Sequence, residues 1–171
     1  MHFNVASLLK ESTGALREFD IDDDLRIEGE THRLRGHVRF DRTHDGVLVR
    51  ARLHGDGAAE CARCLKPIAY PIDLVIEEEY LPTVDVVTGA PVDAPEGEDD
   101  AYRIDKRHMI DLAEPIEQYW SMAVPMAPVC RDDCPGICPV CGQERAAEGH
   151  ACTREQVDAR WAKLQNLHLG S

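Results

Sequence analysis

Two stretches of the chain alternate between apolar and polar positions, which is the pattern of half-buried β-strands. Residues 31–40 read THRLRGHVRF, and residues 46–54 read GVLVRARLH. Between them lies THDG, whose Asp-Gly pair favours a tight turn. The pattern therefore predicts a β-hairpin with one apolar face and one polar face. Its apolar face consists of Leu34, Val38, Phe40, Val47, Val49, Ala51 and Leu53.

Further elements follow from the same reasoning. Residues 68–80 read as another strand, in which Pro71 favours an edge position or a bulge. A helix is predicted over 111–123, with Asp111 and Glu114 as a capping box. Helical spacing also predicts a short helix near the start, which contains Val5, Leu8 and Leu9. A terminal helix is predicted as well, with Thr153 and Gln156 as its capping box. Its apolar side holds Val157, Trp161, Leu164 and His168.

These elements predict an α+β fold. An antiparallel β-sheet from about residue 15 to 80 is packed by one or two helices. We expect a core domain over 1–128, with a mobile acidic loop at 82–101 that holds Pro, Gly and several acids but no basic residue. Residues 129–171 form a zinc-stapled C-terminal segment and the terminal helix.

The charge is acidic overall and basic locally. The chain has 19 Lys and Arg against 32 Asp and Glu, a net charge of -13, whereas free-standing nucleic-acid clamps are usually basic. The hairpin is the exception, with six arginines and two acids between Thr31 and His54. Guanidinium forks match phosphate or carboxylate groups better than lysine does. Two interpretations of the polar face of the hairpin therefore stay open. In the first, its arginines contact RNA; in the second, they are solvated or contact the acidic loop of the same chain. The arginines concerned are Arg33, Arg35, Arg39, Arg50 and Arg52.

Seven cysteines are the strongest chemical signal. The N-terminus has no pattern of a signal peptide and no apolar run is long enough for a membrane helix, so we expect a cytoplasmic protein with reduced thiols. Two C-x-x-C pairs and one C-x-x-x-C group are typical of zinc knuckles. A thioredoxin-like redox site is disfavoured because CARC lies between two predicted strands. Buried structural cysteines are disfavoured because the surrounding residues are mostly turn formers.

The number of ligands allows one or two structural zinc ions. Seven cysteines and His150 make eight ligands, enough for two tetrahedral sites with no open position for catalysis. One pairing joins Cys61, Cys64, Cys130 and Cys134 in a first site, and Cys138, Cys141, His150 and Cys152 in a second. The alternative joins the two C-x-x-C pairs as a zinc ribbon and leaves Cys130 and Cys134 without a metal. Spacing alone does not choose between them.

The chain resembles the YceD family, which is also called domain of unknown function 177. The resemblance lies in FNVASLLKES near the start, GVLVRARL, ECARCLKP, AVPMAPVC, RDDCPGICPVCG and the closing VDARWAKL, so it covers nearly the whole chain. Many relatives end the metal segment with C-x-C or H-x-H, and the mixed His150-Ala151-Cys152 here implies that His150 is a ligand. The resemblance also implies a role in the accumulation or maturation of large-subunit (23S) ribosomal RNA.

Residues and resemblance together predict a non-enzymatic ribosome biogenesis factor. No catalytic triad, phosphate loop or carboxylate pair stands out, and no small-molecule substrate or membrane is expected. The expected partner is the precursor large ribosomal subunit, through its rRNA, a ribosomal protein or both. The rivals are a protein-binding module whose acidic surface engages a basic ribosomal protein and, less favoured, an rRNA-processing enzyme.

Overall fold

The computed structural model describes residues 1–93, 101–145 and 150–152. The chain divides into two compact units. The first, here called the sheet unit, comprises Met1–Ala58 and Ala69–Met126, and the second, the cysteine unit, comprises Ala59–Ile68 and Ala127–Ser171. Compared with the predicted division at 128/129, residues 59–68 group with the C-terminal segment. The predicted helix after Thr153 lies outside the described residues.

In its described residues, the sheet unit contains two short helices and two β-sheets. A five-stranded sheet has the order β2-β3-β4-β5-β6, and β1 pairs with β7 in a separate two-stranded sheet. In chain order the elements are β1 (His2–Asn4), α1 (Ala6–Leu9), β2 (Leu16–Ile27), β3 (Glu30–Arg42), β4 (Val47–Glu60), β5 (Pro67–Pro82), β6 (Tyr102–Ile104), β7 (Met109–Asp111) and α2 (Ala113–Ala123).

The predicted hairpin is confirmed by strands β3 and β4. They pair antiparallel, with Arg42 opposite Val47 and Phe40 opposite Val49, so residues 43–46 form the turn. All seven apolar residues predicted to face the core are buried. Because side chains alternate across a strand, the register directs the arginines to the opposite, exposed face.

The buried face of the sheet packs against both helices. Leu8 of α1 and Ile116 and Trp120 of α2 join the same apolar cluster as the strands. Phe3, Phe19 and Phe40 add a group of aromatic contacts, with ring centroids 5.0 to 5.6 Å apart. Burying a side chain of this size stabilises the fold by about 1.5 to 3 kcal/mol.

Three features differ from the sequence prediction. The sheet is mixed, since β6 pairs parallel to β5 through Tyr80–Pro82. The β1-β7 pair was not predicted, because three-residue strands are too short to show alternation. The predicted capping box of α2 is wrong: Leu112 is the N-cap, and Asp111 instead ends β7 and accepts a 3.0 Å hydrogen bond from the Ala113 N–H.

The surroundings of β5 agree with the role given to its proline. In the described ranges, Pro71 lies outside the short stretch of β5 that pairs with β6, which agrees with an edge position; the alternative of a bulge stays a prediction. After the strand, the first part of the predicted acidic loop is a hydrogen-bonded turn in which the Asp85 carboxylate accepts from the N–H groups of Val87 and Thr88 at 3.0 and 2.6 Å. Neither helix in the described ranges is long and apolar enough to cross a membrane.

Candidate metal centres and the arginine face

The first cysteine group lies in the cysteine unit and contains Cys61, Cys64, Cys130 and Cys134. Their sulfur atoms all lie within 4.8 Å of one another. The Sγ atoms of Cys61 and Cys134 are 3.9 Å apart, and those of Cys64 and Cys130 are 3.8 Å apart. Four sulfurs bound tetrahedrally at about 2.3 Å from one zinc ion would be separated by about 3.8 Å. The spacing therefore suits one tetrahedral zinc ion.

The local backbone explains why these four residues meet. The CARC segment closes a tight turn, since the Cys61 carbonyl accepts from the Leu65 N–H at 2.9 Å. Leu65 has a φ of 61°, the left-handed conformation that such a turn requires. The Ala62 N–H donates to the Pro128 carbonyl at 2.8 Å, and the Arg63 guanidinium donates to the Asp132 carbonyl at 2.9 Å. These bonds join the turn to the C-terminal segment.

Backbone N–H groups polarise this group toward thiolate. Burial opposes ionisation of Cys61, but N–H groups of Cys130, Cys64 and Arg63 outweigh it and lower the pKa of Cys61 to about 6. The pKa of Cys130 is raised to about 12 by the neighbouring Cys134 sulfur, with burial acting in the same direction. Several thiolates cannot share this small volume without a cation between them.

The second group contains Cys138, Cys141, His150 and Cys152, again with all ligand atoms within 4.8 Å of one another. The Cys141 Sγ and His150 Nε2 atoms are 3.5 Å apart. One zinc ion with ordinary Zn–S and Zn–N distances would separate them by about 3.6 Å. Both groups thus combine soft ligands with tetrahedral spacing, and both can hold a metal ion such as zinc.

The turn at Cys138 repeats the construction of the first group. The Gly142 N–H donates to the Cys138 carbonyl at 2.8 Å, and Gly142 adopts a φ of 72° that favours glycine. N–H groups of Cys141 and Val140 lower the pKa of Cys138 to about 6 against the effect of burial. The hydrogen-bonded Cys141 sulfur and burial raise the pKa of Cys152 to about 11.

The structure brings together the eight residues in the first of the two pairings considered from sequence. The two C-x-x-C pairs lie in different groups, so the zinc-ribbon arrangement is not formed by the described residues. Sequence reasoning missed the polar contacts that support the centres. The Lys66 ammonium lies 2.6 Å from the Glu144 carboxylate, and the Ile137 N–H donates to the Arg63 carbonyl at 3.0 Å. Neither contact has a spacing signal in the sequence.

The predicted arginines share the exposed face of the five-stranded sheet, but they are not alone there. Strand β2 places Glu18, Asp20, Asp22 and Asp24 opposite Arg39, His37, Arg35 and Arg33, respectively. On the other side, β5 contributes Asp73 and Glu77, which pair with His54 and Arg50. We call this surface the striped face: two inner strands carry mostly basic residues, and the strands on either side carry acids.

Most of the arginines are engaged by acids of this face, namely Asp22 of β2 and Asp41 of β3. Asp22 accepts from the Nε of Arg33 at 2.7 Å and from the Nε of Arg35 at 3.1 Å. The bond from Arg33 is the main cause that lowers the pKa of Asp22 to about 2, with Arg35 adding to it and desolvation opposing. Asp41 accepts from Arg39 at 2.6 Å and from Arg50 at 2.9 Å. In the described ranges, the acids that face these arginines come from the sheet and not from the loop at 82–101.

A groove crosses the centre of the striped face. Its volume is about 330 Å³, and its lining includes His37, Arg39, Arg50 and Arg52. Arg52 forms no ion pair within the described part of the chain. The five predicted arginines therefore fall into two classes. Arg33 and Arg35 are held by Asp22 outside the groove. The other three line the groove, where Asp41 holds Arg39 and Arg50 and Arg52 keeps all its donors.

Comparison with known proteins supplies the family. The profile described as "Large ribosomal RNA subunit accumulation protein YceD" matches residues 49–168, which include both cysteine groups. This chain belongs to the YceD family. The description of the YceD family names accumulation of large-subunit rRNA and no chemical reaction.

The curated relatives carry no functional description. Uncharacterized proteins of Mycobacterium tuberculosis and Mycobacterium bovis are 37% identical over 131 residues, which is 76% of this chain and 59% of theirs. An uncharacterized protein of Mycobacterium leprae is 29% identical over 133 residues, 76% of this chain and 57% of its own. The match thus spans under two thirds of each relative. No solved structure matches the chain.

Proposed function

We propose that this protein is a non-enzymatic ribosome biogenesis factor. It acts in the cytoplasm on the precursor large ribosomal subunit and supports accumulation or maturation of 23S rRNA. The observation that carries this proposal is the family match, which covers residues 49–168 and whose description names that role. The eight clustered ligands agree with it, because two four-ligand centres leave no open metal position for hydrolysis.

The metal has a structural role in this proposal. Each centre is filled by one zinc ion held by soft ligands, the first by four thiolates and the second by three thiolates and the Nε2 atom of His150. Zinc would neutralise thiolates that otherwise repel one another and would tie residues 59–68 to the C-terminal segment. The cysteine unit would then present a fixed shape to its ribosomal partner.

RNA contact is assigned to the three arginines that line the groove of the striped face, Arg39, Arg50 and Arg52, and not to Arg33 and Arg35, which Asp22 already holds. Exposed guanidinium groups on two neighbouring strands support this role, since they can bind phosphate by two parallel hydrogen bonds. Acidic strands on both sides limit capture of arbitrary RNA at long range. Such a surface suits a factor that binds one shaped site on a precursor particle and later leaves it.

Co-sedimentation tests the proposed role. A tagged protein, carrying the natural sequence, is expected to travel with precursor large-subunit particles and not with mature ribosomes. Depletion of the protein should lower 23S rRNA relative to 16S rRNA. Purified protein should show no cleavage of precursor rRNA with or without added zinc or magnesium, and cleavage would favour the enzyme rival. Absence from precursor particles together with unchanged 23S rRNA would refute the proposal.

A protein-binding module is the second candidate. The observation that favours it is the excess of acids, both over the whole chain, with a net charge of -13, and in the outer strands of the striped face. A basic ribosomal protein could pair with those strands. The two candidates differ in their response to salt and to ribonuclease. Phosphate contacts predict steep loss of binding with salt and loss on ribonuclease treatment, whereas a protein partner predicts binding that survives the ribonuclease.

A further inference from the structure

The groove of the striped face is built around two arginines that face each other. Arg39 and Arg50 are directly opposite in the β3-β4 register. Like charges in that position destabilise a sheet unless something lies between them. Asp41 does so: it accepts from the Nε of Arg39 at 2.8 Å and from the Nη1 of Arg50 at 2.9 Å. Its side chain is only 15% exposed, so both guanidinium groups are held by a nearly buried carboxylate.

Fixing these two groups still leaves donors directed away from Asp41. Asp41 takes the Nε and Nη2 atoms of Arg39, but only the Nη1 atom of Arg50. Glu18 approaches the remaining Nη1 of Arg39 no closer than 3.8 Å, and Glu77 approaches the Nε of Arg50 at 3.3 Å. The Nη2 atom of Arg50 has no hydrogen-bond partner in the described ranges. Arginine donors oriented in advance lose less freedom when they bind an anion.

Arg52 completes the lining with a full set of donors. It lies opposite His37, one alternate position along β4 from Arg50. His37 is itself bonded to Asp20 through Nδ1 at 2.9 Å, on the side away from Arg52. In the parts of the chain that are described, Arg52 has neither a carboxylate partner nor a side-chain hydrogen bond. Arg33 and Arg35 differ from it, because both are bonded to Asp22.

We propose that this groove is a phosphate-binding pocket in which Arg50 and Arg52 hold one phosphate group of an RNA backbone, with Arg39 beside them. The inference rests on the proposed function for the source of the phosphate, but its geometry stands alone. Three guanidinium groups and Glu18 line the groove, and Asp41 and Glu77 approach Arg39 and Arg50 from its edges. The positive charge left for an anion is therefore local, and it is centred on Arg52 and on the free edge of Arg50. Acids on both sides restrict the positive region to the scale of one phosphate, which makes a long continuous RNA track unsuitable.

A titration with inorganic phosphate, at constant ionic strength, tests the pocket. The Nε–Hε resonances of arginine side chains are followed by NMR in the full chain. Saturable shifts are expected at Arg50 and Arg52. The variant carrying Arg50→Gln and Arg52→Gln should bind phosphate about tenfold or more weakly, since two charge-assisted donors are lost. The matched control carries Arg33→Gln and Arg35→Gln, which removes the same charge from the same face, and it should bind within about twofold of the natural protein.

The outcomes separate the pocket from the ribosomal role. Equal weakening in both double variants, or no saturable shift, would overturn the pocket, because general charge would then explain any effect. Zinc content and thermal unfolding confirm that each variant is folded. A six-nucleotide single-stranded RNA is added as a second probe. Competition between the RNA and phosphate would identify an RNA backbone as the source of the bound phosphate. Phosphate binding without RNA binding would overturn the RNA source, and the occupant of the pocket would then be a free phosphate compound.

Discussion

The sheet unit and the cysteine unit are stabilised by different physical means. The sheet unit buries one continuous apolar cluster that joins six strands, β2 to β7, to both helices. Among the described residues of the cysteine unit, the buried cluster consists of Cys61, Cys64 and Cys134, with Ile68 and Val129 partly buried beside it. Three buried thiols remove little apolar surface from water, so burial contributes little to the stability of this described part. The comparison teaches that apolar burial stabilises the sheet unit, whereas in the described part of the cysteine unit the proposed metal centres would have to supply what burial does not.

The same contrast appears in the electrostatics. In the sheet unit, charged groups lie on the striped face, where water screens them. In the cysteine unit, the polarised groups are the ligands themselves, with the pKa of Cys61 and of Cys138 lowered to about 6. Metal binding there displaces protons, so occupancy of the centres should weaken in acid. The following predictions test this difference, beginning with the largest expected effect.

Removal of a ligand from the first centre should unfold the cysteine unit and spare the sheet unit. Structural zinc sites contribute roughly 10 to 16 kcal/mol to folding in small zinc domains, so loss of one ligand should cost much of the stability of such a unit. In Cys64→Ser we expect rapid hydrogen exchange across residues 59–68 and 127–145, with protection in β3 and β4 unchanged. Hydrogen exchange resolved by mass spectrometry measures both regions in one sample.

Leu65→Ala is the matched control for that variant. Leu65 is adjacent to Cys64 and 56% exposed, so its side chain contributes little burial. The control should keep zinc and protection at natural levels. If Cys64→Ser leaves exchange in the cysteine unit unchanged, the metal is not what holds this unit, and the contrast between the units is wrong.

A cavity in the apolar cluster should have the opposite pattern. Phe40 is 0% exposed and contacts Phe3 and Phe19. Phe40→Ala should lower the free energy of unfolding of the sheet unit by about 3 to 5 kcal/mol, through lost transfer energy and an unfilled cavity. Zinc per chain should stay the same. Denaturant unfolding and elemental analysis measure the two quantities, and Phe19→Ala, which alters a ring 41% exposed, should cost clearly less.

The two centres should also differ from each other in the rate of metal exchange. In the first group three of four ligands are buried, whereas Cys141 and Cys152 of the second group are exposed. We therefore expect a chelator to remove zinc in two phases, with the second centre emptied first. His150→Ala should abolish the fast phase and lower the zinc content from two ions per chain toward one. His44→Ala, a change at an exposed histidine outside both groups, should keep both phases, and a single phase in the natural protein would contradict the ordering.

Much of this contrast could be read from the sequence. Alternation predicted the burial of all seven apolar residues of the hairpin correctly. Side chains of a strand alternate between its two faces, so only one register turns all the apolar residues toward the core. The helix before Pro125 was predicted from apolar positions at helical spacing, with either Tyr119 or Trp120 on the apolar face. Of these two, the structure buries Trp120, together with Leu112 and Ile116. What could not be predicted depends on long-range geometry: the division of ligands between two centres, the parallel β6 and the short β1-β7 pair.

The striped face shows a signal that sequence reasoning passed over. Residues 16–24 read LREFDIDDD, in which Glu18, Asp20, Asp22 and Asp24 occupy alternate positions. These acids form the polar face of a strand. Because they are complementary in charge to the arginines of β3, the pairing of β2 with β3 could have been predicted from charge alone. Local composition suggested a basic patch, but the pairing of strands makes it a basic stripe between acidic ones. The net charge of one segment does not predict the charge of a surface when residues that are neighbours in space come from other segments of the chain.

The smallest predicted effect concerns one carboxylate of that face. Arg33 donates to Asp22, and this bond, with help from Arg35 and against desolvation, lowers the pKa of Asp22 from 3.8 to about 2. Since the folded-state pKa is the lower one, ionised Asp22 favours folding above pH 3.8, and that contribution is lost as the pH falls through about 2. A carboxyl NMR titration should find the midpoint near pH 2. Arg33→Gln should raise that midpoint toward 3.8, whereas Arg52→Gln, which removes an arginine that does not contact Asp22, should leave it in place. A midpoint already near 3.8 in the natural protein would mean that Asp22 does not hold Arg33 and Arg35 in solution, and the distinction between neutralised arginines and groove arginines would be lost.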